Sequence, residues 1–203
     1  MVTLERNEAA FVLTMDDGEN RMNQSWLDTM NQALDEVDAG AAAVALVTTG
    51  TDKFFSNGLD LEWLMGSGVD MPAFVADVER LFARVIAAPY ITVAALNGHT
   101  FAAGAMLALC HDFRVMRSDR GYFCLPEVDI RIPFTPGMNS LIMSRMTITA
   151  SHEAMVTGRR FGGDEAAAKH IVHKAVAAEE VLPAAISLAN DQAGKDRNTL
   201  RTI

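Results

Sequence analysis

Short apolar runs and stretches of 3.6-residue periodicity alternate along the chain. Residues 2–6 and 10–15 read as two strands joined by a turn at Asn7 and Glu8, and Asp16, Asp17 and Gly18 end the second. Asn23 is placed to cap a helix running to about Asp38, because Trp26, Leu27, Met30, Ala33, Leu34 and Val37 share one face. Gly40 ends it. Residues 44–48 form an unbroken apolar run, the mark of a strand buried on both faces of a mainly parallel sheet, and a loop follows over 53–60. Phe74, Val75, Val78, Leu81, Phe82, Val85 and Ile86 define a second amphipathic helix before another apolar strand at 91–96. This is a β–α–β rhythm. A turn of small residues over 97–104 leads into a short helix at 105–110, and strands at 113–117 and 121–124 precede a loop containing Pro126, Pro133 and Pro136. Helices then predominate, over 138–146, 151–156, 164–170 and 179–190. With no internal repeat or linker, the pattern predicts a single α/β domain over 1–203 with a helical C-terminal part.

Composition narrows the partners. The chain has 203 residues, half of them hydrophobic, and 26 acidic against 17 basic side chains give a net charge of −9. Such a surface offers no electrostatic footprint for nucleic acid or an anionic membrane. Cys110 and Cys124 lie in apolar stretches without metal-ligand spacing and read as reduced packing residues. The N-terminal segment has charges where a signal peptide needs an apolar core, and no apolar run reaches membrane-spanning length. A soluble cytoplasmic protein is the expectation.

In open α/β sheets ligands gather at the carboxyl ends of strands, which directs attention to the loops after residues 48 and 96. Gly58 allows a tight turn that would leave the Leu59 N–H pointing outward. Ala102, Ala103 and Gly104 open a helix whose first N–H groups have no intrahelical partner. Two such donors converging would form an oxyanion hole, although turns of this composition often only turn. Glu127, flanked by Leu125, Pro126 and Val128, would gain a raised pKa if buried, or would pair with Arg131 or Arg120 if not. The five histidines show no metal-binding spacing, so no metal is expected, and Ser56 is not in a nucleophile elbow.

The segments Phe55-Ser56-Asn57-Gly58-Leu59-Asp60-Leu61, Ala95-Leu96-Asn97-Gly98-His99 through Ala103-Gly104, and Leu125-Pro126-Glu127 together resemble the crotonase (enoyl-CoA hydratase/isomerase) superfamily. Asn20-Arg21-Met22-Asn23 before the first helix is a supporting piece, and Thr157-Gly158 with Glu165-Ala166 is similar to a further family segment. The resemblance covers nearly the whole chain. It implies a ββα spiral core over about 1–137, a helical region over about 138–203, and a homotrimer or dimer of trimers. It also implies an acyl-CoA substrate with no separate cofactor, and it puts the carbonyl-binding N–H groups on Leu59 and Ala103. Hydratases of the family use two glutamates; here Met106 stands at the first position and only Glu127 remains. A methionine neither positions water nor delivers a proton, so the pattern resembles a Δ3,Δ2-enoyl-CoA isomerase in which Glu127 shuttles one proton, and the stretches over 56–61 and 127–134 are similar to that subgroup. The loop Ser56, Asn57, Gly58, Asp60 and Leu61, with Gly104 and Met106, is implied in substrate binding, and Arg21 and Lys53 in contacts to the CoA phosphates. Two readings compete. One is hydration or another crotonase-type reaction assisted by Asp129 or Asp60; the other is a non-catalytic acyl-CoA binder. The chain ends sooner than many family members, which leaves the covering of the acyl pocket as an expected point of difference.

Overall fold

The computed structural model describes residues 1–40 and 44–203. Strands β1 (Val2–Asn7) and β2 (Ala10–Met15) form an antiparallel hairpin. Its turn falls one residue later than the sequence suggests, because Glu8 adopts a positive φ of 55° while Asn7 still pairs with Ala10. Helix α1 (Gln24–Asp38) starts at Asn23, whose side chain accepts from the Trp26 N–H, and it buries the six apolar residues of its expected face.

The chain then repeats a unit of long strand, short strand and helix. β3 (Ala45–Gly50) is followed by β4 (Phe54–Ser56), α2 (Leu61–Gly66) and α3 (Met71–Ile86). β5 (Ile91–Leu96) is followed by β6 (His99–Phe101) and α4 (Ala103–Cys110), and β7 (Phe113–Arg117) by β8 (Phe123–Cys124), α5 (Glu127–Ile130) and α6 (Pro136–Arg145). Each turn of this spiral gives one strand to a six-stranded sheet, ordered β1-β2-β3-β5-β7-β9, and one to a three-stranded sheet, ordered β4-β6-β8. All pairings except β1 with β2 are parallel.

Several expected loops are therefore structured. The segments at 53–60 and 97–104 hold β4 and β6, and the proline-dense loop holds α5; the strand expected at 44–48 runs two residues further, to Gly50. Elements of two to four residues are too short to show a period. After α7 (Ile148–Thr157) and α8 (Gly163–Ala168), the region expected to be helical contributes β9 (Lys174–Val176), which pairs with β7 at the sheet edge. Helices α9 (Val181–Gln192) and α10 (Arg197–Thr202) complete the chain.

Both faces of the large sheet are covered, as its apolar strands require. On one face Val12, Val47, Val93 and Val115 pack against Val181, Ala185 and Ala189 of α9. The other face carries the larger core, where α1, α3 and α4 meet the small sheet. Every residue of α4 is buried, which explains why it is apolar all round rather than amphipathic.

Candidate active site

The loop after β4 is held from behind by polar groups. Asn20, fully buried, donates from Nδ2 to the carbonyls of Met15 (3.2 Å), Phe54 (3.3 Å) and Phe55 (3.0 Å), and its Oδ1 accepts from the Asp17 N–H (2.9 Å). Ser56 Oγ donates to the Asn20 carbonyl (2.7 Å) and accepts from the Gly58 N–H (3.2 Å). Gly58 has φ +85°. Its carbonyl accepts from the Met22 N–H (2.8 Å), while the Met22 carbonyl accepts from the Asp60 N–H (3.0 Å). This bridge uses the groups on either side of Leu59 and turns the Leu59 N–H the other way.

The second loop abuts the first. A Cβ on Gly58 would lie 3.0 Å from the Ala103 nitrogen and 2.9 Å from the Ala102 Cβ, and one on Gly104 would lie 2.5 Å from the Ser56 carbonyl oxygen. Only glycine permits such approaches. Ala103 is the first residue of α4, so its N–H has no intrahelical acceptor. Neither Leu59 nor Ala103 donates a backbone hydrogen bond among the described residues, and both line the same cavity. The unusual conformation that the turn demands falls on Ala102, at φ 51° and ψ −126°, a region disfavoured for any residue with a Cβ.

Glu127 opens α5 and reaches the same cavity, which encloses about 330 Å³. It is buried, its Oε2 has no hydrogen-bond partner among the described residues, and burial raises its pKa from 4.5 to about 7, against a smaller opposing effect from its own backbone N–H. Of the two sequence readings of this residue, the apolar one applies. Glu127 forms no ion pair among the described residues, and Arg131 instead ends α5 in a left-handed conformation. Met106 is buried in the cavity wall. Among the described residues, Glu127 and Arg21 are the only ionisable side chains in that wall, since Asp60 caps α2 through the Trp63 N–H and Asp129 lies against Gly158.

The remaining sequence candidates divide. Arg21, Asn57 and Leu61 line the cavity. Ser56, Gly58, Asp60 and Gly104 lie behind the lining and shape the two loops. Arg21 pairs with Glu19 (2.7 Å), which also accepts from Asn57 Nδ2 (2.7 Å). Burial raises the Glu19 pKa, but these hydrogen bonds outweigh it and leave the carboxyl below its usual range. Lys53 lies outside the cavity, its Nζ 5.4 Å from the Phe54 ring centroid. Burial, and then the charges of Lys53, Arg160 and Arg120, lower the pKa of His99. This is a local cationic face on an acidic protein, and it adjoins the cavity at Phe101, over which Arg160 stacks. Sequence reasoning missed the apolar wall formed by Val75, Ile130, Ile132, Phe134 and Met138. Val75 and Met138 read as helix positions, and Ile130, Ile132 and Phe134 as part of the 127–134 stretch that resembles the isomerases, but nothing in the sequence placed them opposite one another.

A ββα spiral that brings two unpaired amides and one buried carboxyl to a single cavity defines an enzyme of the crotonase class. Residues 5–203 match the enoyl-CoA hydratase/isomerase family model, and the chain belongs to that family. Enoyl-CoA delta isomerase 3 of Arabidopsis thaliana is 37% identical over 98% of this chain and 87% of its own length. Peroxisomal enoyl-CoA delta isomerase 2 of the same plant is 34% identical over 96% of this chain and 86% of its own. A probable enoyl-CoA hydratase of Mycobacterium tuberculosis superposes with a TM-score of 0.91 at 29% identity, covering 99% of this chain and 85% of that one. Among the described residues no helix is long and apolar enough to cross a membrane.

Proposed function

We propose that the protein is a Δ3,Δ2-enoyl-CoA isomerase working through a single glutamate. The observation that carries this reading is that, among the described residues, Glu127 is the only carboxyl in the cavity wall, with Met106 at the position where the family's hydratases have their other glutamate. The Glu127 carboxylate removes a proton from C2 of a 3-enoyl thioester, and the electron pair delocalises over C2, C3, C4 and the carbonyl oxygen. The Leu59 and Ala103 N–H groups stabilise the oxygen's developing negative charge. Glu127 then returns the proton to C4, leaving the double bond between C2 and C3. A pKa of about 7 suits a group that both takes and gives a proton near neutrality. The reaction needs no cofactor beyond the CoA carried by the substrate.

The isomerase names of relatives at 37% and 34% identity support this choice. Arg21 at the cavity wall, and the cationic face of Lys53, Arg120 and Arg160, are suited to the CoA phosphates. A trimer, or a dimer of trimers, remains our reading of the assembly, to be checked by light scattering. Two free, buried cysteines fit a reducing compartment, for which we propose the cytoplasm, to be checked by fractionation.

A paired assay tests the reaction: 3-hexenoyl-CoA followed for appearance of the conjugated product, and crotonyl-CoA for its loss by hydration. Isomerisation without hydration is expected. Rapid hydration would overturn the single-glutamate mechanism, and tight binding with no turnover of either would leave a non-catalytic acyl-CoA binder.

A further inference from the structure

Thr135 is the polar side chain in the otherwise apolar far wall of the cavity, and it does not face the cavity as a free hydroxyl. Its Oγ1 donates to Glu79 Oε1 and accepts from the Met138 N–H (3.1 Å), so it is at once the cap of α6 and the end of a side-chain bridge to α3. The Glu79 carboxylate also lies over the first turn of α6: a Cβ on Gly137 would be 2.7 Å from its Oε1. A negative charge there is favoured by the N-terminal end of the α6 dipole, where the Gly137 N–H has no intrahelical acceptor. Glu79 itself is outside the cavity wall, but Val75, one turn earlier on α3, is in it, and so is Met138, one turn into α6. The segment 131–135 between α5 and α6 has no regular structure and supplies Ile132, Pro133 and Phe134 to the wall. Its far end is joined to α3 through this bridge.

We propose that the Glu79–Thr135 hydrogen bond is a latch that holds the 131–135 wall of the cavity toward α3 and thereby limits the length of acyl chain the site accepts. Glu79 is a positioning residue, acting on the chain only through Thr135 and the wall behind it. This rests on the reading of the cavity as an acyl-CoA site. With the latch intact, an acyl chain that grows beyond the wall meets Phe134 and Met138. With it broken, the segment can move outward and the chain can extend between α3 and α6.

The test compares wild type, Glu79→Ala and Glu79→Gln in two measurements. One is kcat and KM for 3-hexenoyl-, 3-octenoyl-, 3-decenoyl- and 3-dodecenoyl-CoA; the other is calorimetric binding of the saturated thioesters of the same lengths. Glu79→Ala is expected to raise the dodecenoyl-to-hexenoyl ratio of kcat/KM by about tenfold, mainly through KM, with a parallel gain in binding of the longest saturated chain. Glu79→Gln retains an amide oxygen able to accept from Thr135 and is expected to keep the wild-type length profile. Equal losses at every length in Glu79→Ala would mean only general loosening, and an unchanged profile would mean no latch; either overturns the proposal. A protein that binds the saturated series without isomerising any substrate loses the proposed reaction, while its binding profile still decides the latch. Absence of acyl-CoA binding in the wild type overturns both.

Discussion

On the amide side of the cavity, Asn20 and Ser56 are fully buried and hydrogen-bonded, and the backbone of one loop touches that of the next. On the acid side, Glu127 has a carboxyl oxygen with no partner, and its neighbours Val128 and Ile130 are 48% and 44% exposed. In the proposed isomerase reaction, the difference follows from what each side would have to do. Amides that stabilise charge developing on a carbonyl oxygen act best when fixed in advance, so the polar groups behind them are satisfied and only the working N–H groups are left bare. A carboxyl that exchanges a proton needs its two states close in energy, and withholding hydrogen bonds from it in an apolar wall achieves that. One side is built from satisfied polar groups, the other from a polar group left unsatisfied.

The largest expected effect breaks the acid side. Glu127→Gln should lower kcat by about 10²- to 10⁴-fold, the range for loss of a general acid–base group, while raising stability at alkaline pH. The sign follows from the direction of the shift. With a folded pKa raised from 4.5 to about 7, the folded state holds a proton that the unfolded chain releases. The stabilisation from that proton is fully present below pH 4.5 and is lost as pH rises through about 7. Urea unfolding at a series of pH values should show the wild type losing ground to Glu127→Gln across this window, by up to about 3 kcal/mol. In the wild type, kcat/KM should rise with pH through about 7 as the carboxylate forms. Parallel stability curves for the two proteins would mean that Glu127 titrates as an ordinary surface carboxyl.

Next in size is a break on the amide side. Asn20→Ala removes the donor to the Met15, Phe54 and Phe55 carbonyls and the acceptor of the Asp17 N–H. Leaving such buried groups unpaired costs roughly 1–3 kcal/mol each before relaxation or water entry, so a total loss of about 2–4 kcal/mol is expected in urea unfolding. Because Asn20 also carries the carbonyl that Ser56 binds, the Leu59 amide should lose its aim and kcat should fall more than KM rises. A stability loss of that size with kcat unchanged would show that the clamp supports the fold alone.

The two sides also differed in how far the sequence exposed them. Glu127 was legible as a candidate, because its apolar flanks raised the prospect of burial and the family resemblance marked the position, although pairing with Arg131 or Arg120 stayed open. The long strands and helices were legible too, since β5 and α1 carry enough residues to establish a period. The small sheet was not: β4 and β6 have three residues each and β8 two, and they exist because they pair with one another, a tertiary fact. Gly50 had the same effect on β3, because a glycine that reads as a strand end is kept within it by close approach to the Phe54 carbonyl oxygen, 2.2 Å from where its Cβ would be. Asn20, which organises the amide loop, stood in the sequence only within the Asn20–Asn23 segment that supports the resemblance, with nothing to show its three-way hold on the loop. The far wall escaped notice because its residues lie in an irregular segment and become a surface only when α3 and α6 are brought opposite each other.

The smallest expected effect bears on how the amide side is aimed. Ala103 is helical, and the unusual backbone conformation of the turn falls on Ala102 at φ 51°, ψ −126°. A Cβ in such a conformation costs about 1–3 kcal/mol, whereas a glycine in its place gives back about 0.4–1 kcal/mol through greater unfolded-state entropy. Ala102→Gly should therefore raise stability by about 1 kcal/mol in urea unfolding. The same freedom releases the turn that delivers the Ala103 N–H, so kcat should fall several-fold, opposite in sign to the stability change. If stability fell as well, Ala102 would be under no strain. The amide side would then owe its aim to the hydrogen bonds of Asn20 and Ser56 and to close glycine packing, with no contribution from a strained residue.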